Sequence, residues 1–425
     1  MILYIKLAVL VGVFLGALRL KVGLGTILLV CTGLVGLLFP VRPAEFLSAV
    51  FGAVLDRPTV ELVAIVFITV MLGGLMRESG ALREMTGSLR EMIPDYRLVV
   101  AIPPALIGLL PMPAGALVSA PLVDEAAGGR PISAEARTFL NYWFRHLWEY
   151  VWPLYPGLLI GAAVLQVPVR RIAIAQYPLT IVALAIGLWF LYRRLPRDAG
   201  ATYARHAGAG ARRFARSVWP LGAIFAGVFL LRLSILAALA GTTLVLLITL
   251  AASRRHSVKA LAKLAVDNIS PDTVLLLLSV MMFKTALSVC GALEEIPRAF
   301  AASGIPPLVP LFVAPFLVGL LTGVNQAYVA ITFPILAPLM HAGGAAGANG
   351  AAGAPALPAE MLDMSLVMFA YVSGFLGILL SPTHLCLVLT REYFRAEFRG
   401  VYRLLIPPVL CLLATALLLV ALRGR

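Results

Sequence analysis

Charge is in short supply in this 425-residue chain: Asp, Glu, Lys and Arg together make up 13%, about half of what soluble domains carry. A soluble enzyme or a nucleic-acid-binding protein is excluded on that ground. Cysteine is scarcer still. The four thiols, Cys31, Cys290, Cys386 and Cys411, all fall inside apolar segments, where cysteine packs as a small hydrophobe rather than pairing or ligating. That excludes a secreted disulfide scaffold. There is no phosphate-cradling glycine loop followed by Lys-Ser/Thr, no His-Glu-x-x-His and no Gly-x-Ser-x-Gly. The chain therefore encodes no ATPase engine, and any work it does must draw on an ion gradient or a partner. No cleavable signal peptide is expected, because the first apolar stretch lacks a basic leader and runs into a second span.

What is abundant is hydrophobe, at 61% of residues. Apolar segments fall at roughly 2–18, 22–39, 58–78, 97–111, 139–165, 173–192, 217–231, 233–251, 272–290, 306–321, 361–381 and 402–422. Several are about 18 residues or longer, enough to cross ~30 Å of hydrocarbon. Amphipathic pieces lie at 41–55, 80–94, 254–268 and 291–304. The fold expected is an all-α polytopic membrane protein. Two polar interruptions stand out. Residues 193–216 carry seven arginines and read as a cytoplasmic linker between a first half, 1–192, and a second, 217–425. Residues 341–358 are nearly all Gly, Ala and Pro and read as a flexible external loop.

The halves repeat. Sliding the chain by 211 residues places Gly80-Ala81-Leu82 on Gly291-Ala292-Leu293, Glu84 on Glu295, Pro104 on Pro315 and Leu106 on Leu317. It also places Gly108-Leu109-Leu110 on Gly319-Leu320-Leu321, Ala116 on Ala327 and Val118 on Val329, giving 11 identities in 39 ungapped positions. In each half a pair of short apolar pieces is interrupted. Pro111-Met112-Pro113 divides 97–127, and Thr322-Gly323-Val324-Asn325-Gln326 divides 306–340. Both read as re-entrant hairpins. Five crossings per half then make the repeats inverted, about ten spans in all. With the arginine linker inside, Lys and Arg divide 23 inside to 8 outside, which puts both termini outside.

Unwound backbone at membrane depth marks a cavity, and the helix end beyond each tip aims free N–H groups at it. The candidate site residues at the first tip are Pro113, Ala114, Gly115 and Ser119. At the second they are Thr322, Gly323, Asn325 and Gln326. A long span in each half also looks broken, by Pro153 and Pro156 in one and by Ser381-Pro382-Thr383 in the other. Beside the first break stand Arg145, His146 and Glu149. Arg145 and Glu149 are spaced to pair on one helix face. They read either as an anion contact with a proton relay through Glu149 or His146, or as an ion pair locking two helices. Ser381 and Thr383 complete the candidate set. Asp124-Glu125 reads as a solvated helix end, and Lys284 as a snorkelling or paired cation. His206, His256 and His341 fall in loops and read as solvated. His384 with Cys386 offers only two metal donors, so no metal and no cofactor is expected.

The stretches from Leu110 to Ala116, Pro121 to Ala126, Asn141 to Tyr150, Tyr371 to Gly377 and Ser381 to Cys386 resemble a family of prokaryotic integral membrane proteins, domain-of-unknown-function family 401. That family is similar to the ion transporter superfamily of gluconate, citrate, dicarboxylate and arsenite carriers. The resemblance implies a scaffold and a mobile part built of hairpins and broken spans, moving as an elevator in the plasma membrane of a prokaryote. Sodium-coupled dicarboxylate carriers hold Ser-Asn-Thr at both tips. Here the first tip has no side-chain oxygen and only Asn325 matches at the second, so sodium coupling and dicarboxylate specificity do not carry over.

The function expected is secondary transport of a small organic anion coupled to H+ or Na+, and not an enzyme activity. A cation/proton antiporter carrying ions on Glu149 and Asp124 is the alternative. A membrane-embedded enzyme or structural subunit is the second alternative, though two-sided access is of no use to an enzyme. Partners expected are the substrate anion and the bilayer, with no nucleic acid; a homodimer is left open.

Overall fold

The computed structural model describes residues 2–111, 115–196, 207–252, 270–341 and 361–423. The expected loop at 342–358, the amphipathic piece at 254–268, the Pro111-Met112-Pro113 tip beyond Pro111, and His206 and His256 lie outside the described residues.

The first half comprises α1 (Ile2–Arg19), α2 (Leu24–Leu38), α3 (Pro43–Gly52), α4 (Arg57–Glu78), α5 (Ala81–Met92), α6 (Tyr96–Ile107), α7 (Gly115–Ala127), α8 (Ala134–Arg145), α9 (Pro156–Leu165) and α10 (Val169–Arg194). The second comprises α11 (Ala207–Phe225), α12 (Ile235–Ala252), α13 (Pro271–Val289), α14 (Ala292–Ser303), α15 (Leu308–Thr322), α16 (Asn325–Leu336), α17 (Met364–Leu379), α18 (Leu385–Phe394) and α19 (Phe398–Arg423). Among the described residues there is no strand beyond an isolated bridge between His341 and Leu362.

Among the described residues, five helical runs are long and apolar enough to cross a membrane: Pro43–Glu78, Val169–Arg194, Ile235–Ala252, Pro271–Val289 and Phe398–Leu422. Their outward faces are apolar, with Ile174, Trp189, Leu244, Ile248, Leu410 and Leu418 all exposed. In lipid such a face costs nothing, because hydrocarbon is as good a solvent for leucine as a protein core. The interior is organised around α17, in which every residue from Val367 to Leu379 is buried. Small residues let its neighbours approach. A methyl on Gly319 of α15 would run into the Gly374 carbonyl, and one on Gly377 into the Phe316 carbonyl, so these two helices cross with backbones touching.

The two halves carry the same sequence of devices. A helix pair, α6 with α7 and α15 with α16, packs on itself. A helix then breaks, between Arg145 and Pro156 in one half and between Leu379 and Leu385 in the other. Beyond the break a ten-residue helix ends on a left-handed residue, Gln166 or Arg395, each with φ 55°. A 26-residue helix follows in both cases. The glycines that the 211-residue offset pairs play one role: Gly108 abuts the Arg145 carbonyl as Gly319 abuts that of Gly374.

The arginine-rich stretch departs from expectation. Residues 207–216, which composition reads as linker, are the first turns of α11. The helix docks on amphipathic α5, where Gly210 lies against the Ser88 carbonyl and Met92, and Arg213 pairs with Glu91. Its arginines at 212, 213 and 216 therefore lie on an exposed face of a helix. Residues 197–206 lie outside the described part.

Candidate functional site

Proline sets the breaks. Pro153 and Pro156 in one half, and Pro382 in the other, lack the N–H that a continuing helix needs, and Pro156 opens α9 at a position where none is required. The freed carbonyls are taken up by side chains. At the end of α6, Trp148 Nε1 donates to the Ala105 carbonyl (2.7 Å), Arg145 to that of Ile107 (3.3 Å), and Tyr155 Oη to that of Gly108 (2.5 Å). At the end of α17, Tyr142 Oη lies 3.3 and 3.4 Å from the Ile378 and Leu379 carbonyls. The first tip thus closes onto the first break.

The second tip closes onto both breaks. Gly323, left-handed at φ 63°, ends α15, and its carbonyl accepts from His384 Nδ1 at 2.5 Å. A side chain at Gly323 would strike the His384 backbone. Asn325 opens α16 and donates Nδ2 to Glu149 Oε2 at 2.8 Å. Tyr371 donates to the Glu149 backbone carbonyl at 3.1 Å and lies 3.4 Å from the Asn325 amide. Gly157 leaves room for that amide, since a methyl there would overlap Asn325 Oδ1.

At the centre the two halves meet ring to ring. His146 Nε2 stands 3.0 Å from His384 Nε2, across 238 residues of sequence, and 3.7 Å from Glu149 Oε1. The Cys386 sulfur lies within 4.8 Å of the ligand nitrogens of His146 and His384, so that three donor atoms, one from each residue, stand together. Glu149, His146 and Cys386 are buried and His384 is partly so.

Several sequence expectations change here. Arg145 and Glu149 do not share a helix face, because α8 stops at Arg145 and the chain turns away. Glu149 instead faces Asn325 and His146. The argument that His384 and Cys386 are too few for a metal no longer holds, since folding adds His146. Of the cysteines expected to pack in apolar surroundings, Cys31, Cys290 and Cys386 are buried, and Cys411 is exposed on α19.

The other candidates fall around this centre or away from it. Gly115 is buried at the start of α7, and Ser119 bonds back to the Gly115 and Ala116 carbonyls, its hydroxyl spent within the helix. Asn141 ties this turn to the second half, donating to the Ala116 carbonyl at 3.1 Å and to Thr390 Oγ1 at 3.0 Å. Thr322 donates to the Val318 carbonyl and accepts from the Val324 N–H, shaping the tip. Ser381 and Thr383 pair at 2.9 Å, and Thr383 reaches the Leu321 carbonyl, tying break to tip. Gln326 is half-buried in the first turn of α16. Pro113 and Ala114 lie outside the described residues. Asp124 pairs with Arg137 at 2.5 Å, both partly exposed, as a solvated helix end would. Lys284 reaches the Ala163 carbonyl at 3.4 Å, and His341 bonds to that of Ala337. Tyr155, Tyr371, His384 and Cys386 were not among the expected site residues. Their motifs are visible in sequence, but a hydroxyl that meets a carbonyl 222 residues away is not.

The model of the domain-of-unknown-function family 401, a protein family of unknown function, matches residues 4–422. The chain belongs to this family. This family 401 protein matches none of the curated proteins. Among solved structures it is similar to the YdaH transporter of Alcanivorax borkumensis, described in its crystal structure as having an unusual topology. The TM-score is 0.60 at 15% identity, covering 94% of this chain and 97% of that one. The family 401 chain and that transporter thus share a fold over nearly their whole lengths.

Proposed function

We propose that the protein is a secondary transporter moving a small organic anion across the prokaryotic plasma membrane together with protons. The observation that carries this is a convergence of helix N-termini. The starts of α9 (beside Gly157), α16 (Asn325) and α18 (His384) all meet at one buried group of side chains, with Arg145 alongside. Three such ends favour a negative charge, and Glu149 occupies that place. Protonation of Glu149 frees the Asn325 amide for a substrate carboxylate, which links anion entry to proton entry. Sodium gains less support, because several carbonyls at the tips and breaks, those of Ala105, Ile107, Gly108, Ile378 and Gly323, already accept from side chains. The antiporter reading loses one of its two carriers, since Asp124 is paired with Arg137 at an exposed helix end.

In this reading the helix pairs are re-entrant hairpins. α6 and α7 have 12 and 13 residues, and α15 and α16 have 15 and 12. At ~1.5 Å per residue none spans ~30 Å of hydrocarbon. The matched devices of the two halves support inverted repeats with about ten spans, both termini outside, and an elevator-like movement of the hairpins with the broken spans. The shared fold with a protein described as a transporter points the same way.

A thermal-shift screen of the purified protein against organic acids, at varied Na+ and pH, tests the reading. A ligand at a hundred times its Kd stabilises by about 2.7 kcal/mol. The expected hit is a carboxylate that acts without Na+ and more strongly at lower pH, and that is then taken up by proteoliposomes down an imposed proton gradient. Absence of any hit among organic acids would sink the anion reading. A strict Na+ requirement without pH dependence would sink the proton coupling.

A further inference from the structure

The two histidines at the centre present an unusual pairing. His146 Nδ1 lies 2.6 Å from the Tyr142 carbonyl, and His384 Nδ1 lies 2.5 Å from that of Gly323. A backbone carbonyl can only accept, so both Nδ1 atoms carry the proton, and in the neutral rings both Nε2 atoms are bare lone pairs. Those lone pairs face each other at 3.0 Å. The thiol proton of Cys386 can serve one of them and leaves the other unserved. Histidines whose Nδ1–H is anchored on backbone carbonyls while Nε2 converges with other donors have the arrangement found in metal sites, where the outer hydrogen bond fixes tautomer and ring direction.

We propose that His146, His384 and Cys386 form a three-ligand site, with its fourth position open, for a borderline transition-metal dication of the Zn2+ class. Donor chemistry selects the class. Two imidazoles and a thiolate suit Zn2+ and its late first-row neighbours, whereas Na+, Mg2+ and Ca2+ call for oxygen. Spacing agrees. Zn–N bonds of about 2.0–2.1 Å at the tetrahedral angle separate two nitrogens by roughly 3.3–3.4 Å, so the observed 3.0 Å needs only a few tenths more. The sulfur and both nitrogens already lie within 4.8 Å of one another. Glu149 lies beside this group and outside it, with Oε1 3.7 Å from His146 Nε2 and Oε2 held by Asn325. The Cys386 thiolate supplies one negative charge to the dication, and the Glu149 carboxylate nearby offsets part of the rest. The ligands come from both broken spans: His146 ends α8, His384 caps α18, and Cys386 lies in the first turn of α18. An ion bound here would clasp the two halves of the molecule at their breaks.

This proposal does not rest on the transport reading, and its test reads binding alone. Tag-free purified protein is titrated with Zn2+ by calorimetry in weakly buffered solution, and with Co2+ followed by its visible and near-ultraviolet spectrum. The expected result is one ion per chain at micromolar Zn2+ or below, with release of the thiol proton and a rise in melting temperature. Co2+ should give tetrahedral ligand-field bands and a sulfur charge-transfer band. His384→Gln should weaken Zn2+ binding by more than about tenfold, beyond what loss of an outer partner alone can cost at its least. Cys386→Ser should abolish the charge-transfer band while size-exclusion behaviour stays that of the parent. If His384→Gln proves unstable, the Cys386→Ser spectrum decides by itself. Absence of saturable binding at these concentrations would overturn the proposal and leave a proton shared between the rings. Binding that survives both substitutions would overturn it as well, as adventitious capture elsewhere.

Discussion

Asn325, the first residue of α16, donates its side-chain amide to the Glu149 carboxylate at 2.8 Å across 176 residues of sequence. The contact fastens the second tip to the first half's break. Asn325→Ala leaves Glu149 without this donor, which costs about 1–3 kcal/mol for a buried group, read as a lower melting temperature. Asn325→Asp should be worse, because two carboxylates then face each other. Adding Glu149→Gln to Asn325→Asp should recover most of the loss. Lack of recovery would mean that the pair does not act as the geometry suggests.

Gly157 and Gly161 lie on the same helix and make an internal comparison. A methyl at Gly157 overlaps Asn325 Oδ1, whereas one at Gly161 sits 3.5 Å from Phe333 and Val329, in ordinary contact. Gly157→Ala is therefore expected to cost about 1–3 kcal/mol, as overpacking does, and to weaken ligand binding with it. Gly161→Ala should be neutral or stabilise by up to about 1 kcal/mol. Melting curves of the two variants side by side check this.

Exchanging charges at the first break should not restore function. Arg145 is engaged at the Ile107 carbonyl and Glu149 at Asn325, and the helix ends between them. The variant Arg145→Glu with Glu149→Arg is expected to bind substrate no better than either single change. Recovery in the double variant, measured by thermal shift with the screened anion, would show a direct pair instead. Arg145→Lys should also fail, because an ammonium lacks the planar fork.

Asp95 caps α6 and grips Arg97 through both oxygens, at 2.8 to 3.2 Å. The guanidinium holds this carboxyl below the usual aspartate range. A group with a depressed value stabilises above its unfolded value and loses that contribution as pH falls through the folded one. Asp95→Ala should thus lower stability by about 1 kcal/mol near neutral pH. The gap from the parent should close as the pH drops below about 3.9. A gap that stays constant with pH would remove the ionic part of the account.

Topology can be read at the two left-handed helix ends. Gln166 and Arg395 are exposed and terminate α9 and α18. In a Cys411→Ala background, an impermeant thiol reagent on intact cells should label Gln166→Cys and spare Arg395→Cys. Equal labelling of both would defeat the inverted arrangement.

Composition and local chemistry made much of this molecule legible in advance. A chain that is 61% apolar and 13% charged has only helices to offer a bilayer, because each backbone N–H and C=O must be satisfied within its own segment. The second tip shows in the polar run from Thr322 to Gln326, and proline spacing marks Pro111-Met112-Pro113 and the interruptions at Pro153, Pro156 and Pro382. Such breaks depend on missing N–H groups, a property of single residues. Residues 207–216 read as linker from their arginine and glycine, while the stripe by which they dock on α5 as a helix appears only once α5 is there to receive it. The site divides along the same line. That Arg145, His146 and Glu149 are candidates follows from their cost in an apolar span, and that Asn325 is one follows from its place at a tip. Which of them meet could not. Arg145 and Glu149 look paired in sequence and are separated by a helix end. His146 finds His384, and Glu149 finds Asn325, across 238 and 176 residues. Those partners are chosen by how two broken helices and a hairpin tip pack around α17, and packing is a property of the assembled halves that no local window contains.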